Sequence, residues 1–319
     1  MKKLSLALLA VFFLPISLIV AQEMPIYDQY HFNYYLINPA VAGADKCSHL
    51  MLTTKNNWIG MDGPSTQALS FRTRITGKNI GLGGYIYNDK TPNFRYVGGQ
   101  ATFAYHIPMS DGARYLRDVK LDRQLSFGVS VKANNHAFEA VEGTLNENID
   151  PANTSFSELS LNANVGVYYI DYGFFAGLSA TNLIPYDLDN YGRQEPSNPL
   201  TAFLFVGYGF DLGDGNEIEP SVNFNYDAND NKQLELNLKY SSNNEVDDLG
   251  YWAQLSYRHN MDDGGGKALS IIPIVGVRIN KFQLAYAFNW TLNELANHNY
   301  GTHELMLAYS FCVPKKFCR

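Results

Sequence analysis

The chain has 319 residues, 46% hydrophobic and 14% aromatic, with a formal net charge of −7 and no run of Lys or Arg, a balance that argues against nucleic acid as a partner. Mean hydropathy is slightly negative despite 22 Tyr and 19 Phe. That composition favours strands, and it excludes neither a soluble all-β protein nor a barrel whose polar lumen dilutes an apolar outer face.

At the start, Lys2 and Lys3 precede an apolar run from Leu4 to Val20 that Pro15 interrupts, and Ala21–Gln22 offers a small-residue cleavage point. Residues 1–21 are expected to be a secretory signal peptide, with a retained N-terminal anchor as the competing reading. Losing Lys2 and Lys3 takes the net charge to −9. No Cys lies near the cut, so a lipoprotein signal is not supported. In residues 22–48, Tyr27, Tyr30, Tyr34 and Ile37 recur at helical spacing. This predicts a short helix, stopped by Asn38-Pro39-Ala40. The segment is expected as a plug in the barrel lumen or as a periplasmic cap.

From 49 to 312 the chain alternates apolar and polar residues in fourteen stretches: 49–55, 66–75, 79–88, 95–107, 124–133, 159–169, 173–181, 200–211, 217–227, 232–240, 250–258, 269–279, 281–290 and 302–311. In the last, His303, Leu305, Leu307, Tyr309 and Phe311 share one face, with Thr302, Glu304, Met306, Ala308 and Ser310 on the other. A strand alternates its side chains with period two. Lengths near ten residues suit a tilted transmembrane strand better than a sandwich strand. The tight links Thr76–Lys78, Ile170–Tyr172 and Asn280 all join even strands to odd ones. The long links Ala133–Glu158, Asn182–Leu200 and Thr291–Gly301 join odd to even, as expected of short periplasmic turns and long outer loops. Asp227–Asn231 is short for an outer loop, and Pro108–Arg123 is long for an inner turn. The expected fold is all-β: a transmembrane antiparallel β-barrel of about fourteen strands in the outer membrane. The last strand then closes on the first, with Glu304 inward, and 313–319 forms a periplasmic tail. A secreted all-β protein is the runner-up.

Arg72, Arg74, Glu158, Glu217, Glu219, Glu235, Lys239 and Arg258 fall on the expected lumen face, since a cation aimed at mid-depth lipid costs about 2–4 kcal/mol. They would pair across the lumen, hold the plug, or stand in a solvated interior. Cys47, Cys312 and Cys318 lie just outside the first or last strand, either as a disulfide with one thiol left over or as three thiols. His136, His259 and His298 fall in expected outer loops, without a spacing that marks an active site. Asp227-x-Asn229-Asp230-Asn231 lacks the Gly and the distant Glu of a calcium loop and reads as a turn. Gly264-Gly265-Gly266 reads as flexible loop. No catalytic site, cofactor or metal is expected.

Three motifs run in order near the start: Tyr27-x-Gln29-Tyr30, then Asn38-Pro39-x-x-Ala42-Gly43, then Trp58-x-Gly60-x-x-Gly63-Pro64. With the ending Gly301-Thr302-His303-Glu304-Leu305-Met306-Leu307, the chain resembles the PorP/SprF family, outer-membrane proteins of the Bacteroidota type IX secretion and gliding machinery. Asn38-Pro39-Ala40 also resembles the hatch of fatty-acid-transporter-like channels. The chain departs from the family pattern after Phe311, where Cys312 to Arg319 follow. The resemblance implies a non-enzymatic part in secreting or anchoring a surface protein such as an adhesin. The implied partners are a cargo with a C-terminal sorting domain, periplasmic components of the machinery, and outer-membrane lipid. A solute channel with an N-terminal hatch is the alternative, and an enzyme at the barrel rim a remote third.

Overall fold

In the computed structural model the described residues are 28, 30–45, 47–61, 63–109, 123–138, 155–184, 199–244, 248–261, 266–292, 296 and 298–311. Their strands are β1 (Ser48–Asn56), β2 (Ser65–Arg74), β3 (Ile80–Lys90), β4 (Phe94–Pro108), β5 (Arg123–Phe138), β6 (Phe156–Asp171), β7 (Phe174–Thr181), β8 (Thr201–Tyr208), β9 (Phe210–Gly213), β10 (Asn216–Asp227), β11 (Lys232–Asn244), β12 (Leu249–Asn260), β13 (Lys267–Ile279), β14 (Phe282–Thr291) and β15 (Thr302–Phe311). β8 and β9 form one stave interrupted at Gly209, and both pair with β10. The ladder lapses between Ser221 opposite Gly207 and Ile218 opposite Phe210. Pro220 lies in that gap and has no N–H to give. Every stave is antiparallel to the next, and β15 returns to β1, from Ser48 opposite Phe311 to Asn56 opposite His303. The sheet is a closed barrel of fourteen staves, as the alternation predicts.

The two faces reverse the habit of a water-soluble protein. On β5, Val129 and Val131 are 54% and 63% exposed, while Ser130, Lys132 and Asn134 between and beyond them are buried. On β15, Leu305 and Leu307 point out while Glu304 and Met306 point in. An apolar exterior around a polar interior is stable only where the outer solvent is lipid, and there a closed barrel leaves no unpaired strand edge. Among the described residues, no helix is long and apolar enough to cross a membrane.

Turn chemistry fixes the hairpins. Tyr172-Gly173 and Asp214-Gly215 have positive φ at both positions (45° and 104°, 51° and 77°), as tight two-residue hairpin turns require. Asp227 caps its own turn: its Oδ1 accepts from the N–H of Asn229 at 2.9 Å and of Asn231 at 3.2 Å. The Asp/Asn cluster is therefore a turn, as its composition predicts. One expected loop is shorter than the sequence suggests. β5 and β6 stay in register up to Phe138 opposite Phe156, so both ends of Ala133–Glu158 belong to the wall. Asn134, Asn135 and His136 look like loop residues, but the lumen accepts polar side chains at every second position. His136 is accordingly buried in β5 rather than in a loop, and His259 lies in β12.

Val131 sits near mid-depth on the lipid face of β5. Val131→Arg should destabilise the barrel by about 2–4 kcal/mol, measured by urea unfolding in lipid vesicles. A loss below about 1 kcal/mol would place this face outside the hydrocarbon.

Candidate functional site

The N-terminal segment lies inside the barrel. It is not the helix that the tyrosine spacing predicts: it makes three 3-10 turns, Tyr30–Phe32, Tyr34–Leu36 and Pro39–Val41. Side chains leave it towards every wall. Asn33 donates to Ser70 on β2 at 2.9 Å, and Tyr35 donates to Thr102 on β4 at 2.9 Å. Tyr34 stacks on Phe205 of β8 with ring centroids 4.1 Å apart, and Phe32 on Trp252 of β12 at 3.7 Å. A helix with one apolar stripe serves one wall, whereas a segment enclosed by a ring must serve all of them. Phe32 packs on lumen residues that are themselves apolar, among them Ile272, Ile274 and Met306. Such residues suit a wall that holds protein better than one that faces water.

Charge is concentrated at Asp28. Its carboxylate lies 2.9 Å from Arg258 on β12 and 3.2 Å from Lys55 on β1, and it accepts from Asn289 on β14 at 3.1 Å. Its backbone N–H donates to Glu304 on β15 at 2.6 Å. Arg258 also donates to Glu235 on β11 at 2.7 Å, and Glu235 lies 2.9 Å from His31 Nε2. Lys55 and Glu304 face each other across the β1–β15 seam. A single aspartate thus ties the segment to both seam strands. Buried charges need partners of this kind, because desolvation costs several kcal/mol per ion.

Further along, the chain presses on the wall itself. Asn38 donates to the carbonyl of Val167 at 3.0 Å, and its Oδ1 accepts the N–H of Ala40 at 2.9 Å. Pro39 therefore begins a 3-10 turn rather than ending a helix. Gly128 and Gly166 make the approach possible. A Cβ on Gly128 would meet the backbone of Pro39 and Ala40, and one on Gly166 the Asn38 amide. Beyond Gly43, which has φ +67°, Asp45 reaches Arg72 at 3.2 Å and His49 at 2.7 Å at the end of the barrel where β1 begins. Burial favours the neutral acid there, but Arg72 and His49 outweigh it and hold the Asp45 carboxyl down to about 2.

Two of the family-like motifs meet, the one around Trp58 and the one that begins at Gly301. Trp58, Gly60, Gly63 and Pro64 form the β1–β2 loop, closed by the Asn57 N–H donating to the Pro64 carbonyl at 2.9 Å. That loop pairs with the β14–β15 loop: Trp58 N–H donates to Thr302 at 3.2 Å, and Ile59 N–H to Gly301 at 3.0 Å. Gly60 lies against the ring of Tyr300, where a Cβ would intrude. Glu304 sits just below, with His303 turned outward to Tyr286 at 2.6 Å. Tyr30 is buried beside His31. Tyr27, Gln29, Cys312 and Cys318 lie outside the described residues. Cys47, next to β1, is disulfide-bonded. The sequence reading missed Asp28 and Lys55. The parity of β1 marks Lys55 as inward with Met51 and Thr53, and Asp28 is a lone charge between two motif residues. Neither signal names the partner. Among the described residues, no group of three His, Cys, Asp or Glu is placed to hold a metal ion.

The family profile described as type IX secretion system membrane protein PorP/SprF matches residues 19–309. No protein of curated function matches the chain. Among solved structures it is similar to CdiB from Acinetobacter baumannii (10% identity, TM-score 0.44, 83% of this chain and 60% of that one). It is also similar to BamA from Haemophilus ducreyi lacking POTRA domains 1–3 (9%, 0.42, 84% and 70%) and to the monoaromatic hydrocarbon channel CymD (12%, 0.46, 91% and 94%). The chain thus spans 60% of the length of CdiB.

Asp28→Asn should cost about 3–5 kcal/mol, because Lys55 and Arg258 lose their shared counter-charge; a free energy of unfolding that falls by less than about 1 kcal/mol would show that the clasp holds nothing. The stability that Asp45 contributes is present above its ordinary value of 3.8 and is lost as pH falls towards about 2. Asp45→Asn should remove that part of the acid sensitivity in a fluorescence titration.

Proposed function

The chain belongs to the PorP/SprF family of type IX secretion system membrane proteins, and we propose that it acts in the outer membrane as a non-enzymatic station that helps secrete or anchor a surface protein such as an adhesin. The family match carries this reading. Residues 1–21 serve as the export signal. The outer loops, including the paired Trp58 and Tyr300 loops, meet the cargo, which bears a C-terminal sorting domain. The end of the barrel with the short turns, where β1 begins and β15 ends, faces the periplasm and meets other parts of the machinery.

The lumen contacts support a closed station over a solute channel. Residues 30–45 reach β2, β4, β8 and β12 at once. Ion pairs and stacked rings hold the segment, and these contacts would have to break for it to leave the lumen.

Two measurements test the reading. Deleting the gene should leave one large surface protein inside the cell while general secretion continues; normal surface delivery of every such protein would refute the role. The purified barrel in planar bilayers should show no steady conductance. A stable open pore would favour the channel.

A further inference from the structure

The outward face of β3 and β4 ends in charge. Down β4 the outward residues are Val97, Gly99, Ala101, Phe103, Tyr105 and Ile107, none of them charged. That stretch covers about 33 Å of strand, which at a tilt near 40° is about 25 Å of height, the apolar band of an outer-membrane barrel. Arg95 stands one outward position beyond Val97, at the level of the headgroups. Lys90, the last residue of β3, lies directly opposite it in the ladder, and both side chains are exposed. Near the same end of β10 and β14 the outward positions are Tyr226 and Trp290, the usual aromatic belt.

Like charges directly opposite each other on neighbouring strands repel, with their Cβ atoms about 5 Å apart. Other outward cations have acid partners: Arg123 meets Asp171 at 2.8 Å, and Lys232 meets Asp230 at 2.9 Å. Among the described residues Lys90 and Arg95 have none. Arg95 is nonetheless held in place. Its Nε donates to Asn88 Oδ1 at 2.8 Å, Asn88 Nδ2 to Gln67 Oε1 at 2.7 Å, Gln67 Nε2 to Ser65 Oγ at 2.8 Å, and Ser65 Oγ to Asn56 Oδ1 at 2.7 Å. This relay crosses four strands, points every donor the same way, and engages the guanidinium through Nε alone. The two terminal nitrogens are left for an oxyanion, which the planar fork takes in bidentate fashion. Below the cations the wall is thin. Gly84 and Gly99 are outward positions without a side chain, and Ile86, opposite Gly99, stands 62% exposed beside them.

We propose that this patch binds a phosphate-bearing lipid of the outer leaflet, its phosphate bridging Lys90 and Arg95 and an acyl chain lying in the trough over Gly84 and Gly99. An anion between the two cations removes their repulsion, and the apolar trough beneath them favours a lipid over free phosphate. The choice of leaflet rests on the proposed orientation, with the short turns in the periplasm; the site itself does not.

Native mass spectrometry of the purified barrel in detergent tests the site, with diphosphoryl lipid A as the probe. The double variant Lys90→Gln, Arg95→Gln should bind it about tenfold more weakly than the parent chain, because two charge-assisted contacts are lost, while Arg123→Gln binds as the parent does. Equal binding by the double variant, or equal binding of lipid A stripped of its phosphates, overturns the proposal. Displacement of the lipid by inorganic phosphate in millimolar excess overturns the lipid assignment in favour of a free anion. Pro92→Cys, exposed in the β3–β4 loop, reports the leaflet separately. It should react with a membrane-impermeant maleimide on intact cells, above the signal of the parent chain; reaction only after the outer membrane is permeabilised overturns the outer-leaflet assignment. Heat-dependent gel mobility confirms that each variant is folded.

Discussion

Hydrocarbon offers no hydrogen bonds, and the rest of the structure follows from that. A strand in lipid must pair on both edges, so the sheet must close. Closure occurs where β15 meets β1 in unbroken register. The ring encloses an interior cut off from lipid, and polar side chains collect there. The interior can then hold a segment that makes no regular sheet, because the wall supplies its hydrogen-bond partners. Thr102, Ser70 and the Val167 carbonyl all serve this purpose.

The seam is also where the charges gather. Lys55 and Glu304 oppose each other across it, and Asp28 sits against both. Out of water these charges interact strongly, and each is expensive if left alone. The cluster therefore specifies a position as much as it stabilises one: the segment fits where its aspartate meets two cations and its backbone N–H meets a carboxylate. Aromatic stacking at Phe32 and Tyr34 adds contact area without that selectivity.

Strand order, strand count and the direction of the lumen-facing charges were legible in the sequence, because period two survives wherever one face meets lipid. Glu304 and Glu235 point inward by parity alone. The path of residues 30–45 was not legible. Helical tyrosine spacing suggests one amphipathic face, but the barrel surrounds the segment, and contacts on all sides replace periodicity with short turns. The Asn38-Pro39 step misled for a related reason. Proline before a run of small residues reads as a stop, yet Asn38 caps a new turn once Gly128 and Gly166 allow its backbone near the wall. Hydrogen-bond partners such as the Asp28 backbone N–H and the Glu304 carboxylate lie 276 residues apart, beyond any local pattern.

That separation also bears on how the ring closes. A hairpin pairs strands that are neighbours in sequence, but β1 must find β15, at the far end of the strand order, before its second edge is covered. Long-range closure of this kind is slow. Until then β1 exposes an unpaired edge and the lumen is an open trough. Asp28 contacts Lys55 on one edge and Glu304 on the other, so the segment can lie in that trough while the wall closes around it. On this view the plug is a mandrel around which the cylinder is finished.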